Sequence, residues 1–310
     1  MLSIALCTYN GEQYLKEQLE SFANQSLLPD ELVVCDDGSS DGTIEILQMF
    51  SLCAPFEVKV IQNEKSLGVV KNFSKAIEHC SGEYIAISDQ DDIWKYEKLR
   101  ETVGLLKIME KKYGKEFPLL VHSDLTVVDV YLNIINESMM KSQRIKNEDI
   151  TSKALGTLLA NNYVTGCTVV INRALKNMSL PIPSEAIMHD RWLALVAASS
   201  GKIGFVDQPL ILYRQHGNNQ VGARKYFSYN NVKKFFKSSS MSEHILKTVQ
   251  QNKQIWEKYK NPYIGKYIFF LRKKDLFGLW KMGVRMQGTF RNIGYYYYLF
   301  RLRKIIASIL

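Results

Sequence analysis

What the chain lacks narrows its identity first. Its five cysteines (Cys7, Cys35, Cys53, Cys80 and Cys167) fall in no paired spacing and form no C-x-x-C. That leaves no disulfide framework and suits a reducing cytoplasm. No stretch offers the roughly 18 uninterrupted apolar residues of a membrane-spanning helix, so none is expected. The opening Leu2-Ser3-Ile4-Ala5-Leu6-Cys7 has neither a basic n-region nor a long apolar h-region, which argues against a secretory signal. There is no G-x-G-x-x-G fingerprint and no Walker A loop, so hydride transfer and P-loop phosphoryl transfer lose their usual anchors. No internal repeat is present, and Tyr295–Tyr298 is the only low-complexity tract. Acids, finally, are scarce in one region. From Val221 to Leu310, 19 lysines and arginines face only Glu243, Glu257 and Asp275. Residues 1–220 hold the other 21 basic and 28 acidic groups. An acidic body on a strongly basic tail implies two parts with separate tasks, divided at 220/221.

What is present is alternation. Leu2–Leu6 reads as a strand and Tyr14–Asn24 as a helix, with Leu15, Leu19 and Phe22 at helical spacing. Glu31–Cys35, Glu57–Gln62 and Glu83–Ser88 repeat the strand pattern; Ile44–Phe50, Val69–His79 and Lys98–Tyr113 repeat the helix. Such alternation predicts a parallel sheet covered on both faces. Leu119–Asp124, Tyr163–Ile171, Ile203–Gln208 and Leu210–Arg214 read as further strands, and Met188–Ser199 as a helix. Between Ser123 and about Asp149 the pattern is mixed. The apolar fraction of 46% and charged fraction of 23% are those of an ordinary folded protein.

In sheets of this kind ligands bind beyond the carboxyl ends of the strands. Three strands here end in polar residues: Thr8-Tyr9-Asn10, Asp36-Asp37-Gly38 and Asp89-Gln90-Asp91-Asp92. Carboxylates as crowded as the last set repel one another and are costly near a core unless a cation or hydrogen bonds compensate them. Oxygen ligands at a strand end suit Mg²⁺ or Mn²⁺. The alternative is a polar turn capping a helix that starts near Trp94. Asp37, followed by Gly38 and Gly42, can accept from a base N–H or a ribose hydroxyl, or can serve an Asx/Gly turn as Asp41 does. Gly68 opens the helix carrying Asn72, whose N-terminus can face a phosphate or simply begin a helix. Asp190 is either a helix-start carboxylate favoured by the macrodipole or a functional acid.

The three ordered motifs, Thr8-Tyr9-Asn10, Asp36-Asp37-Gly38-Ser39-Ser40-Asp41-Gly42-Thr43 and Asp89-Gln90-Asp91-Asp92, resemble the nucleotide-sugar motifs of family 2 glycosyltransferases. The resemblance spans about residues 1–220. Ser88–Trp94, His189-Asp190 and Tyr213-Arg214-Gln215-His216 also resemble rhamnosyltransferase-like bacterial members. It implies an α/β protein of GT-A fold: a Rossmann-like, mixed, mainly parallel sheet flanked by helices, here with a mainly helical C-terminal extension. It implies an inverting transferase that moves a sugar, L-rhamnose from dTDP-L-rhamnose as the preferred donor, to a lipid-linked or growing surface polysaccharide. A UDP-hexose donor and a catalytically silent nucleotide-sugar-binding subunit remain alternatives.

Carried over by motif, Thr8, Tyr9, Asn10, Asp37, Gly68, Asn72 and Asp89 would line the donor site. Asp91 and His216 would hold Mn²⁺ or Mg²⁺. Asp190 would be the base that takes the acceptor proton. Asp92, Arg191 and Trp192 would lie at or behind the acceptor. Family members commonly carry Glu-Asp where this chain has His189-Asp190, so the preceding acid is replaced while the aspartate stays. A nucleotidyltransferase is a rival from another class. It would want a glycine-rich, Lys/Arg-bearing loop after the first strand, which Thr8-Tyr9-Asn10-Gly11-Glu12 is not.

In the tail, Leu279–Met286 and Tyr295–Leu310 interleave aromatics and aliphatics with Lys and Arg. That pattern suits helices at an anionic membrane surface, and so a cytoplasmic protein held peripherally on the inner face of the cell membrane. A self-packing helical region with a solvated basic face is the alternative. No nucleic-acid-binding module is visible. Homo-oligomerisation stays open.

Overall fold

The computed structural model describes residues 1–146, 150, 153–216 and 239–310. The expected boundary at 220/221, Gly217–Gln220 and the last residues before Asp149 lie outside them. The chain divides into two compact units, one of residues 1–139, 164–197 and 201–223, the other of residues 140–163, 198–200 and 224–310.

The first unit begins with β1 (Leu2–Thr8), α1 (Glu12–Ala23), β2 (Glu31–Asp36), α2 (Thr43–Ser51), β3 (Glu57–Gln62), α3 (Val69–His79) and β4 (Tyr84–Ser88). β1 pairs parallel with both β2 and β4, and β2 with β3. Then come β5 (Ile93–Trp94), α4 (Lys98–Tyr113), β6 (Leu119–Val128) and β7 (Ile134–Asn136). The nine-stranded sheet among the described residues runs β3-β2-β1-β4-β8-β6-β9-β5, with β8 (Val170–Asn172), β9 (Lys202–Arg214) and β7 beside β6. β8 is antiparallel to both neighbours, whereas β6 and β9 are parallel, so the sheet is mixed but mostly parallel. Ile4, Leu6, Leu32, Val34, Leu15, Leu19 and Phe22 pack into one core with no exposed surface to speak of. Each such side chain contributes roughly 1.5–3 kcal/mol by leaving water, which fixes the strand ends that carry the polar residues.

Three readings change. The acidic run does not cap a helix: Ile93–Trp94 is a short strand antiparallel to β9, and α4 starts only at Lys98 after Glu97. Tyr163–Ile171 is not one strand, because Gly166–Thr168 forms a 3₁₀ turn ahead of β8. Gly166 lies close to His189; a Cβ there would lie 2.6 Å from Nε2 of that ring. Lys202–Arg214 is a single strand rather than two, with register shifts against β6 around Asp124 and Pro209. Proline lacks the ladder N–H, so the irregularity falls where the sequence suggested a gap.

The second unit is helical where described. It contains α6 (Ala154–Ala160), α9 (Ser239–Tyr259), α10 (Pro262–Lys273), α11 (Leu276–Lys281) and α12 (Thr289–Ile309); α5 (Met139–Ser142), α7 (Arg173–Ser179) and α8 (His189–Ser200) complete the helix series. Asn261 caps α10 by accepting from the N–H groups of Tyr263 and Ile264, with Pro262 at the first helical position. Asp275 caps α11 through the N–H of Gly278. Tyr295 and Tyr298 are buried, while Phe290, Ile293, Tyr297 and Phe300 are exposed at three- and four-residue spacing on the other side of α12. No described helix is long and apolar enough to cross a membrane.

Candidate active site

The parallel register brings the ends of β1, β2 and β4 to one edge, with Thr8 opposite Asp36 and Leu6 opposite Ser88. The turn after β2 is built by its own acids. Asp36 accepts from the Thr8 hydroxyl at 2.8 Å, from the N–H groups of Gly38 and Ser39, and from the Ser39 hydroxyl. Asn10 has φ of 48° and interlocks with this turn, its N–H donating to Ser39 Oγ and its Oδ1 accepting from Ser40 N–H. Asp41 accepts from Thr43 and from the N–H of Glu12. Tyr9 is held by Gln90, whose side chain accepts from Tyr9 N–H and donates to Tyr9 O.

Asp37 is bonded as heavily as Asp36. It accepts from Asn63 Nδ2 (2.9 Å), the Leu67 N–H (2.7 Å), the Ser66 hydroxyl (2.7 Å) and the Gly68 N–H (3.0 Å). A carboxylate has about four lone-pair sites, so residues 63–68 meet all of them. Burial works to raise its pKa, but these donors outweigh it and hold the carboxyl below its usual range. Gly68 has φ of 78°, a conformation that glycine adopts without strain, and it turns the loop into α3. Asn72 bonds Asn63 and the Cys35 carbonyl, so it braces the same loop from below.

Asp89, Asp91, Asp92 and Asp190 form the acidic centre. Burial, then the charges of Asp91 and Asp190, push the Asp89 carboxyl up, which places Asp190 in the field of the acidic turn. Asp92 is fully buried and is pushed well up by burial and by Asp91 and Asp89; its Oδ1 accepts from the backbone N–H of Arg214 at 3.2 Å. His216 Nε2 lies 2.8 Å from Asp91 Oδ2, and its ring stacks on Tyr14 with centroids 5.0 Å apart. Asp89, Asp92 and Cys167 offer ligand atoms within 4.8 Å of one another. Burial and the two acids push the Cys167 thiol well up, so it stays protonated and is a poor donor to a hard cation. Asp91 and His216 bring a carboxylate oxygen and an imidazole nitrogen together, and both side chains are only slightly exposed.

Asp190 stands in the first turn of α8 and is mostly buried. Beside it, the His189 ring packs on Phe73 with centroids 3.7 Å apart; burial lowers its pKa to about 3, so it is neutral. Arg191 and Trp192 are buried as well, and the Trp192 indole donates to the Ser179 carbonyl at 2.9 Å. Their burial sets these two side chains, like Asp92, behind the surface rather than on it. Gln90 and Arg214 stood inside the quoted motifs without a role of their own, and Tyr14 and Glu17 stood in no motif.

The family profile described as Glycosyl transferase family 2 matches residues 3–112. A relative from Shigella flexneri, the dTDP-rhamnosyl transferase RfbG, is 30% identical over 234 residues, covering 72% of this chain and 75% of that protein. S. aureus TarS in complex with UDP superposes with a TM-score of 0.57 at 18% identity, over 91% of this chain and 90% of that one. The mannosyltransferase PcManGT from Pyrobaculum calidifontis, in complex with GDP-Man and Mn²⁺, gives a TM-score of 0.57 at 15% identity, over 99% and 86% of the two chains.

Proposed function

The chain belongs to glycosyltransferase family 2, and from that premise we propose that it is an inverting, metal-dependent transferase with dTDP-L-rhamnose as its donor. The contact between Asp91 and His216 at the acidic strand end carries this reading. The similarity to RfbG supports the choice of a rhamnosyl donor. The acceptor is a lipid-linked or growing surface glycan.

In this reading the loop that Asp37 organises and the turn that Asp36 organises receive the nucleoside, with Asp89 beside the ribose. When bound, a divalent cation held by Asp91 and His216 supplies positive charge against that growing on the leaving diphosphate. Asp190 takes the proton of the acceptor hydroxyl as that oxygen attacks the anomeric carbon. The new C–O bond forms on the face opposite the diphosphate, the old one breaks, and the nucleoside diphosphate leaves with the bonding pair. The neutral His189 ring keeps a second acid from crowding Asp190. Like-charge repulsion, which would hold a proton on the base, is thereby reduced.

The basic C-terminal helices meet an anionic membrane surface on the cytoplasmic side, which brings the acceptor within reach. Exposed Phe277, Trp280, Phe290 and Phe300 beside Lys281, Arg301 and Lys304 support this part of the reading.

The test is direct. Purified protein with Mn²⁺ or Mg²⁺ is offered dTDP-L-rhamnose, UDP-glucose, UDP-galactose and GDP-mannose, and binding and nucleoside diphosphate release are measured. Selective use of dTDP-L-rhamnose is expected. Selective use of a UDP-hexose overturns the donor, and indifference to every nucleotide sugar overturns the reading. Pyrophosphate release would indicate nucleotidyl transfer instead.

A further inference from the structure

Arg214 is the last residue of β9, and its side chain is 3% exposed. Every guanidinium nitrogen is engaged. Nε donates to the Asp91 carbonyl at 3.1 Å, Nη1 to the Val130 carbonyl at 3.0 Å, and Nη2 to the Glu17 carboxylate. Its Cζ lies 4.6 Å from the Tyr14 ring centroid, and its own N–H donates to Asp92. Tyr14 in turn stacks on His216, and His216 reaches the Asp91 carboxylate. The contacts therefore close a ring: Asp91, Arg214, Tyr14, His216 and back to Asp91.

We infer that Arg214 and Tyr14 are positioning residues, which set the Asp91 carboxylate and the His216 imidazole at the mutual placement a divalent cation requires. This rests on the reading of Asp91 and His216 as the cation site. The physical case lies in the partition of tasks. Asp91 sits in a turn whose backbone must be fixed before its side chain can be, and Arg214 holds both the Asp91 carbonyl and the Asp92 carboxylate. His216 lies just beyond the end of β9, and the Tyr14 face is the platform on which its ring stacks. Arg214 and His216 both rest on that one ring, so the two restraints are coupled. A planar fork with donors in three directions can join the acidic turn, the turn after β6 and α1; an ammonium cannot reach the same three acceptors with the same geometry. Cation–π contact with Tyr14 fixes the plane of the fork.

The experiment titrates Mn²⁺ alone into the full chain and follows free Mn²⁺ by electron paramagnetic resonance. Thermal unfolding is recorded for every variant. R214K, which keeps the charge, should weaken Mn²⁺ binding about 10- to 100-fold, the usual effect of losing a support behind a metal ligand. Y14L should weaken it by several-fold, and Y14F, which keeps the ring, should bind as the wild type does. In R214A, low-millimolar guanidinium should restore Mn²⁺ binding, whereas methylammonium should not. If R214A does not fold, R214K and the Tyr14 pair carry the test. D91A and H216A separate the two levels of the argument. If D91A binds Mn²⁺ like the wild type, the cation site itself is overturned, and this inference with it. If D91A loses Mn²⁺ while R214K and Y14L retain it, only the positioning role is overturned.

Discussion

Nε2 of His216 stands 2.8 Å from Oδ2 of Asp91, across 125 residues of chain. If this pair holds the cation, D91A and H216A should each lose metal-dependent donor binding, D91A at least 100-fold and H216A about 10- to 100-fold. Calorimetric titration of dTDP, with and without Mn²⁺, measures both. Undiminished metal-dependent binding by D91A would contradict the assignment.

Asp190 should separate binding from chemistry. D190N is expected to bind donor and Mn²⁺ as the wild type does, with transfer reduced by about 10²- to 10⁴-fold, the usual share of a positioned base. Turnover near the wild-type rate would remove Asp190 from that role.

Asp37 should behave as an organiser of its loop. D37A strips the acceptor from four donors at once, the N–H groups of Leu67 and Gly68 among them. A destabilisation of about 2–4 kcal/mol is expected from leaving buried donors unmet, together with loss of nucleotide binding. D37N keeps the shape and two acceptor sites, so it should fold better and bind better than D37A. Urea unfolding and dTDP titration of the two variants check the order.

Glu31 should give the protein an acid-sensitive term far from the chemistry. Burial alone would raise its pKa, but hydrogen bonds from Lys59, Ser3 and Ser81 bring it from 4.5 to about 2. The unfolded chain therefore holds the proton more readily than the folded one. The stabilisation is complete above about pH 5 and fades as pH falls toward 2. E31Q should be less stable than the wild type by about 1–3 kcal/mol at neutral pH, with a gap that narrows on acidification. Denaturation midpoints at pH 7, 5 and 3 measure it; a gap independent of pH would show that the charge is not the cause.

The exposed aromatics of the second unit should govern adhesion without governing the fold. Replacing Phe290, Tyr297 and Phe300 by serine leaves the buried Tyr295, Tyr298 and Leu299 in place. Co-sedimentation with phosphatidylglycerol vesicles should fall several-fold while the melting temperature holds. Sedimentation equal to that of the wild type would dissociate this face from lipid.

Much of the fold was legible because its signals are local. Glu57–Gln62, Val69–His79 and Lys98–Tyr113 end where the sequence pattern ends. The misread segments are those settled by distant partners. Nothing near Gly166 announces the His189 ring that comes close to it, and Ile93–Trp94 is a strand only because Leu212 and Ile211 are there to receive it. The acids of the candidate site were legible one by one, as polar residues at strand ends. Their supports were not: Arg214 stands in a motif that says nothing of its partner, and Glu17, in no motif, meets it across 197 residues.

β5 follows the acidic turn directly in the chain, yet among the described residues its strand partner is β9. On the ribosome, then, Asp89–Asp92 emerge early with one flank already paired in the sheet and the other still waiting for its partner. Until Ile211 and Leu212 leave the exit tunnel, β5 has no strand to receive it, and Arg214 and His216 have yet to arrive. The order of synthesis thus makes the acidic centre one of the last features to close in the first unit. A nascent chain halted within β9 would carry a largely paired sheet and an unfinished site.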